Sequence, residues 1–178
     1  MAALLLGVAL AGCGSGQDSS GQRAAGPGGA DTAAVSPWAV PTDVVERVAL
    51  AGLDLGPMGM AEHYHPHLRV IIDGADVPVP PNIGVDPASG AMSAVHTHEA
   101  DGTTHIEAST VGEKFTLGQL FTQWGVELTP TQIGGIEATS GATVAVTSNG
   151  VKVKGDPNAL RLEPDQNVVV RLGSLASR

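Results

Sequence analysis

Residues 96–107 read HTHEADGTTHIE, and this stretch decides the fold expected for the chain. Asp101-Gly102 stands between two strand-like runs. Asp-Gly is one of the strongest hairpin signals, because both central residues of a type I′ turn need φ > 0. Counting outward from these two turn residues pairs Ala100 with Thr103, His98 with His105, and His96 with Glu107. Alternate residues of a strand share a face, so the last two pairs are expected on one side of the hairpin.

Three histidines and a carboxylate on one small face predict a metal site. Imidazole nitrogens bind zinc at about 2.0–2.1 Å, and three of them leave a fourth position for water or a carboxylate. The same donors suit copper or nickel. The alternative is a polar ladder of histidines and threonines on a solvated face. The predicted metal ligands of the hairpin are His96, His98, His105 and Glu107, with Glu107 either a ligand or an outer partner that orients His96.

All six histidines of the chain lie between residues 62 and 107, and the remaining three are His63, His65 and His67. Pro66 lacks an N–H, which places this segment at a sheet edge or ahead of a strand. His67 begins the next predicted strand and is expected to face the hairpin site, and His65 is expected to reach it. The alternative is that neither joins the site. His63 is expected to be a surface residue outside it.

Residues 1–12 predict a lipoprotein signal peptide. The apolar run from Ala2 to Ala11 is too short to span a bilayer. It ends in Leu10-Ala11-Gly12-Cys13, which resembles the bacterial lipobox and predicts lipid attachment to Cys13. The alternative is a buried apolar helix with an incidental cysteine. Cys13 is the only cysteine, so its acylation would leave no thiol for disulfides or metal ligation in an extracytoplasmic, membrane-anchored protein.

The composition limits the size of the fold and the class of partner. The chain has 178 residues, 42% of them hydrophobic, which predicts one domain with appendages. Its formal net charge is −9 with no basic patch, so nucleic acid is not an expected partner. Residues 13–41 are rich in Gly, Ala, Ser, Asp and Pro and predict a flexible tether, in which Trp38 either docks or stays solvated. Residues 42–178 are expected to form a single α+β domain.

The pattern of elements predicts a mostly antiparallel sheet of hairpins with one covering helix over residues 117–124. Leu117, Leu120, Phe121 and Trp124 follow the i, i+3, i+4, i+7 spacing of that helix. Asp73-Gly74 and Asn149-Gly150 predict two further hairpins. From the histidine hairpin onward, the order strand-strand-helix-strand-strand-strand is similar to that of β-grasp domains, an analogy of order alone.

Several motifs resemble those of a family of uncharacterised extracytoplasmic bacterial proteins. They are His65-Pro66-His67-Leu68 with Asp73-Gly74, His96-Thr97-His98 with Gly102 and His105-Ile106-Glu107, and Phe115-Thr116-Leu117-Gly118-Gln119 with Trp124-Gly125. The resemblance covers most of the chain after about residue 62. It implies secretion, membrane association and the histidine pattern, and it implies no assigned activity.

Three functions remain open on the sequence. The first is a lipid-anchored extracytoplasmic protein that captures, buffers or delivers copper or zinc. The second is a metal-dependent hydrolytic enzyme with Glu107 as the base. An enzyme is less expected, because no phosphate loop, serine elbow or His-Glu-X-X-His helix is present. The third is a metal-free interaction module of the cell envelope, whose protein partner the sequence does not name. Met58-Gly59-Met60 suits Cu(I), although gap-filling in a core is the commoner use of methionine.

Overall fold

The computed structural model describes residues 36–139 and 142–173, and over these residues the chain has an α+β fold. The helices are α1 (Val44–Leu50), α2 (Leu117–Trp124) and a 3₁₀ turn (Pro157–Ala159). The strands, in chain order, are β1 (Leu55–Gly56), β2 (Glu62–Tyr64), β3 (His67–Ile72), β4 (Ala75–Val77), β5 (Met92–Ser93), β6 (Val95–His96), β7 (His105–Ala108), β8 (Gln132–Ile133), β9 (Ile136–Glu137), β10 (Ala145–Ser148), β11 (Val151–Lys152) and β12 (Asn167–Leu172). The predicted signal peptide, Cys13 and most of the predicted tether lie outside the described residues. Neither α-helix in the described ranges is long and apolar enough to cross a membrane.

The strands form mostly antiparallel sheets, which confirms the predicted fold class. The largest sheet has five strands in the order β11-β10-β12-β3-β4, and β12 and β3 are its parallel pair. A three-stranded antiparallel sheet has the order β2-β7-β6. Two short pairs, β1 with β5 and β8 with β9, complete the described strands. The predicted order around α2 is found as β6, β7, α2, β10, β11 and β12, with β8 and β9 inserted and the strands divided between two sheets.

Two of the three predicted hairpins form as expected. Asp73 and Gly74 have φ of 49° and 85° and join β3 to β4, with Ile72 paired to Ala75. Asn149 and Gly150 have φ of 49° and 80° and join β10 to β11. Positive φ at both central residues is the geometry that a type I′ turn requires. Local sequence was therefore sufficient at these two turns.

The third predicted hairpin, at Asp101-Gly102, is wrong in register. His96 pairs with His105, where the turn predicted His98, and residues 97–104 form a loop. Gly102 has φ of 92°, but Asp101 is not in the positive-φ region. The shift is two residues, and an even shift leaves each side chain on its original face because strand side chains alternate with a period of two. The predicted face of the histidines is therefore unaffected by the error in register.

Contacts with a neighbouring strand explain this loop. The carbonyl of Gly102 accepts a hydrogen bond from the N–H of Leu68 at 2.8 Å, and the N–H of Thr104 donates to the carbonyl of Pro66 at 2.9 Å. A Cβ at Gly102 would collide with the carbonyl oxygen of Leu68. The backbone groups of Gly102 and Thr104 thus bond to Leu68 and Pro66. They are therefore not available to pair across a two-residue hairpin.

Helix α2 spans the predicted residues and supports strand β6. The N–H of Thr116 donates to the side-chain oxygen of Gln119 at 2.9 Å, and Gly125, with φ of 72°, ends the helix. The predicted apolar face is buried in the core, with Leu117, Leu120, Phe121 and Trp124 each at most 1% exposed. The side chain of Gln123 donates to the carbonyl of Val95 in β6 at 3.0 Å, which ties the helix to the strand that carries His96.

Trp38, within the predicted tether, is docked on the domain. Its indole N–H donates to the carbonyl of Gly134 at 2.9 Å, and its ring meets the edge of Trp124 with centroids 5.6 Å apart. Of the two alternatives that the sequence left open for Trp38, docking is the one found.

Candidate metal centre

Strand β7 lies in the middle of the three-stranded sheet and presents two polar side chains on one face. His105 and Glu107 alternate with Ile106 and Ala108, which are fully buried in the core. Across the sheet, His96 of β6 is opposite His105, and His63 of β2 is opposite Glu107. Opposed residues share a face, so the hydrophobic core fixes which side of this sheet the histidines occupy.

Three of the predicted ligands, His96, His98 and His105, form what we call the inner group. One ring nitrogen from each lies within 4.8 Å of the others, an arrangement that can hold a metal ion. The centroid of His98 is 4.7 Å from those of both His96 and His105, and the last two rings stack at 5.3 Å. His96 is fully buried, His105 is half-buried and His98 is exposed, so the group extends from the core to the surface.

The tautomer of His96 is fixed by its surroundings. Its Nδ1 lies 2.8 Å from the carbonyl oxygen of Ser93, and a carbonyl can only accept, so Nδ1 carries the proton. Burial, and next the charges of His98 and His105, lower the pKa of His96 to about 4, although the bond to Ser93 acts in the opposite direction. The ring is therefore neutral at physiological pH, and its Nε2 lone pair is available to a ligand.

The spacing of the two nitrogens nearest each other suits a shared ion. Nε2 of His96 lies 3.1 Å from Nε2 of His98. Two nitrogens each about 2.05 Å from a tetrahedral ion lie about 3.3 Å apart. In the metal-free protein the same separation allows His98 to donate a hydrogen bond to His96. These two nitrogens of the inner group are thus close to the spacing of ligands that share an ion.

Thr97, which lies between His96 and His98, is held by four hydrogen bonds. Its hydroxyl donates to the carbonyl of Pro80 at 2.8 Å and accepts from the N–H of Ile83 at 3.1 Å. Its backbone N–H donates to the carbonyl of Ile83 at 3.1 Å, and its carbonyl accepts from the N–H of Asn82 at 2.8 Å. These four bonds hold the chain on which both rings are mounted, so Thr97 is a positioning residue for the inner group.

A second group of three, which we call the outer group, consists of His63, His65 and His105. One ring nitrogen from each again lies within 4.8 Å of the others. The centroid of His65 is 4.5 Å from that of His105 and 4.6 Å from that of His63. Both His63 and His65 are exposed. Partial desolvation by its neighbours, and next the charges of His105 and His63, lower the pKa of His65, which favours its neutral, ligating form.

The structure divides the predicted site residues between these groups. His96, His98 and His105 come together as expected, and His65 reaches His105 from the other side. His67 belongs to neither group, since its ring lies beside the Gly102 loop. This follows from the strand: β3 pairs with β4 and β12 in the five-stranded sheet and not with β7.

Glu107 does not face His96 as the predicted register had it. Its N–H donates to the carbonyl of Ala94 at 2.9 Å, and its Oε1 lies 3.5 Å from Nε2 of His63. The side chain is 6% exposed, and its Oε2 has no hydrogen-bond partner among the described residues. Glu107 is thus outside both groups of three and next to the outer one.

Sequence reasoning missed His63, Thr97 and Glu99. The spacing of His63 and His65 placed both rings on one side of a strand, but nothing local indicated that this strand would pair with β7. Glu99 approaches from the loop, with its Oε2 3.4 Å from Nε2 of His105. Thr97 gave no sequence signal, because its partners lie in the preceding 80–83 segment.

Glu107 is one of the residues that line a cavity of about 360 Å³. The lining also includes Met58 and Met92 but none of the six histidines. Met58 and Met60 are 49% and 89% exposed, so the core role weighed for these methionines is wrong. Gly59 between them has no room for a side chain, because a Cβ there would collide with the backbone of Ala108. The Met-X-Met segment therefore packs against the backbone of β7, the strand that carries His105 and Glu107.

Comparison with protein-family models, with curated proteins and with solved structures gave no match for this chain.

Proposed function

We propose that this chain is a lipid-anchored, extracytoplasmic protein that captures, buffers or hands on copper or zinc through the inner group. The observation that carries the proposal is the fixed orientation and tautomer of the His96 ring. Its Nδ1–H is held by Ser93, and its Nε2 lies 3.1 Å from Nε2 of His98, with His105 beside both. Metal-bound histidines are usually oriented by such a hydrogen bond from the ring nitrogen that does not face the ion.

Preorganisation supports a metal ligand set over the polar ladder. A ladder on a solvated face needs neither a fully buried histidine nor a threonine with four hydrogen bonds between two rings. Holding three imidazoles close together costs conformational entropy, and an ion that binds all three offsets that cost. The metal-free interaction module is therefore the weaker alternative.

The cellular location and the lineage rest on the sequence. Leu10-Ala11-Gly12-Cys13 supports cleavage and lipid attachment at Cys13, which would anchor the domain to the outer side of the cell membrane through the segment that follows. The resemblance to extracytoplasmic bacterial proteins is part of the same proposal. In that setting imidazole is the main ligand type that the chain offers, because its only cysteine would be acylated.

The donor set suits both copper and zinc, the two metals proposed here. Three imidazoles suit Zn²⁺ and Cu²⁺. Met58 and Met60 are exposed, and their thioethers are soft donors of the kind that suits Cu(I). The hydrolytic alternative gains no comparable support, because the cavity bordered by Glu107 is not lined by the histidines that would activate water.

Isothermal titration of the full chain, purified without a histidine tag, with Cu²⁺ and with Zn²⁺ tests the proposal. We expect binding in the micromolar range or tighter, weakened about 100-fold or more by His96→Ala, since outer-shell changes alone cost 10–100-fold. The matched control is His67→Ala, a histidine of the same region that lies outside both groups. Binding no tighter than about millimolar, or equal effects of the two substitutions, would remove the proposal.

A further inference from the structure

The two groups of histidines are arranged on either side of one shared residue. Strand β7, with His105, lies between β6 and β2. One His-X-His pair, His96 and His98, flanks it on one side, and the other pair, His63 and His65, flanks it on the other. The centroid of His105 is 4.7 Å from that of His98 and 4.5 Å from that of His65, so both pairs are within similar reach of it.

The two pairs differ in how firmly they are held. The inner pair includes a fully buried ring and a connecting threonine with four hydrogen bonds. The outer pair is exposed: His63 lies on strand β2, which is at the edge of its sheet, and His65 follows the end of that strand. A preorganised, buried ligand set favours retention of an ion, and an exposed set favours exchange with solvent or with a partner.

We propose that the outer group is a second metal position through which one copper or zinc ion enters and leaves the inner group, with His105 kept as a ligand throughout. This inference rests on the proposed function. A transfer would replace His63 and His65 by His96 and His98 one nitrogen at a time, so the ion need never be released. A single nitrogen of His105 serving both positions would make them alternative positions for one ion.

The charges around the outer group fit a position that attracts a cation. The carboxylate of Glu107 is 6% exposed, and its Oε1 lies 3.5 Å from His63. Its other oxygen has no hydrogen-bond partner among the described residues. A buried carboxylate with an unused oxygen is costly unless a cation or donor approaches it, so it would stabilise an ion held by the adjacent ring. Glu99 adds a second carboxylate 3.4 Å from His105.

Time-resolved exchange of the metal tests this arrangement. The full chain would be loaded with one Cu²⁺ or Zn²⁺, mixed with a chromophoric chelator, and followed by stopped flow; loading of the metal-free chain would be followed in the same way. For the double variant His63→Ala/His65→Ala, we expect loading and unloading to slow together by about tenfold, with the equilibrium Kd changed less than about threefold. Equal slowing in both directions leaves Kd unchanged, which a loss of ligands from the resting site would not do.

The control is again His67→Ala, which should leave both rates as they are. Rates unchanged in the double variant, with tight binding retained, would overturn this inference and leave the proposed function standing. A Kd weakened by more than about tenfold would also overturn it, because the outer histidines would then hold the resting ion. Two ions bound per chain would exclude a single shared ion. A wild-type chain that binds neither metal would overturn the proposed function and this inference together.

Discussion

The inner and outer groups use the same motif, a His-X-His pair beside His105, in two different environments. In the inner group His96 is fully buried and bonded to Ser93, and the connecting residue is clamped to the 80–83 segment. In the outer group both rings of the pair are exposed, and the acidic neighbour Glu107 lies beside one of them. The same side-chain chemistry is thus expected to acquire different properties from burial and from hydrogen bonds to the surrounding chain.

A His-X-His pattern therefore does not define a metal site by itself. The two pairs have the same spacing, yet only the inner pair includes a fully buried ring. Metal affinity is expected to depend on the inner pair, and metal exchange on the outer pair. Substitutions that remove the shared ligand, the buried anchor or its supports should separate these properties in order of decreasing effect.

Removing the shared ligand should have the largest effect. His105→Ala takes one nitrogen from both groups at once. We expect it to weaken Cu²⁺ or Zn²⁺ binding by more than about 100-fold and to abolish exchange through either position. Isothermal titration of this variant next to the His63→Ala/His65→Ala double variant measures the contrast. Similar affinities in the two variants would erase the distinction between inner and outer groups.

The buried ring of His96 should make the stability of the metal-free protein sensitive to acid. The pKa of His96 is lowered from 6.5 to about 4 in the folded chain, so between these values the unfolded chain binds more protons. Its contribution to stability is full above about pH 6.5 and is lost as the pH falls toward 4, by about 3 kcal/mol. Urea unfolding in the presence of a chelator, from pH 7.5 to 4, measures this loss.

His96→Gln is the control for the acid effect, because glutamine keeps a donor for Ser93 but does not titrate. The variant should be less stable at pH 7 and should lose less stability on acidification than the wild type. Parallel curves for the two proteins would show that His96 is not the group responsible.

The loop that carries His98 should be the next most sensitive element. Gly102 has φ of 92°, and a Cβ there would collide with the carbonyl oxygen of Leu68. Gly102→Ala should therefore destabilise the fold by about 2 kcal/mol or more and weaken metal binding by displacing the inner group. Thermal and urea unfolding, with titration of the folded variant, provide the measurement.

Gly150 offers a matched control for Gly102. Its φ is 80°, but an added Cβ meets nothing within 4 Å. Gly150→Ala should cost about 1 kcal/mol of stability from backbone strain alone and leave metal affinity unchanged. If both substitutions had the same effect, the contact between the loop and β3 would not be what positions His98.

The smallest expected effect comes from loosening the inner pair without removing a ligand. Thr97→Val keeps the shape of the side chain but loses the hydroxyl's bonds to Pro80 and Ile83. We expect metal affinity to fall about tenfold, in the range of outer-shell substitutions. Thr103→Val, a change of the same kind in the adjoining loop, should leave affinity unchanged. Equal Kd values for the two variants would show that the clamp does not tune the site.

Turn chemistry and helix periodicity could be predicted because they depend on neighbouring residues. Asp73-Gly74 and Asn149-Gly150 need only their own positive φ, and α2 needs only its apolar spacing and the Gly125 stop. Asp101-Gly102 carries the same signal and fails, because Leu68 and Pro66 take the hydrogen bonds of its loop. Those partners are more than thirty residues away in the sequence and invisible to a local rule.

The sequence alone predicts that the histidines of the 96–107 segment lie on one face. Strand alternation sets that face, and a shift of two residues in register leaves it unchanged. Tertiary structure alone sets which histidines lie close enough together to hold one ion. That choice follows from the pairing of β2 with β7, which brings in His63, and of β3 with β12, which takes His67 away. Such pairings depend on the burial of the whole core, and no short segment of the chain encodes them.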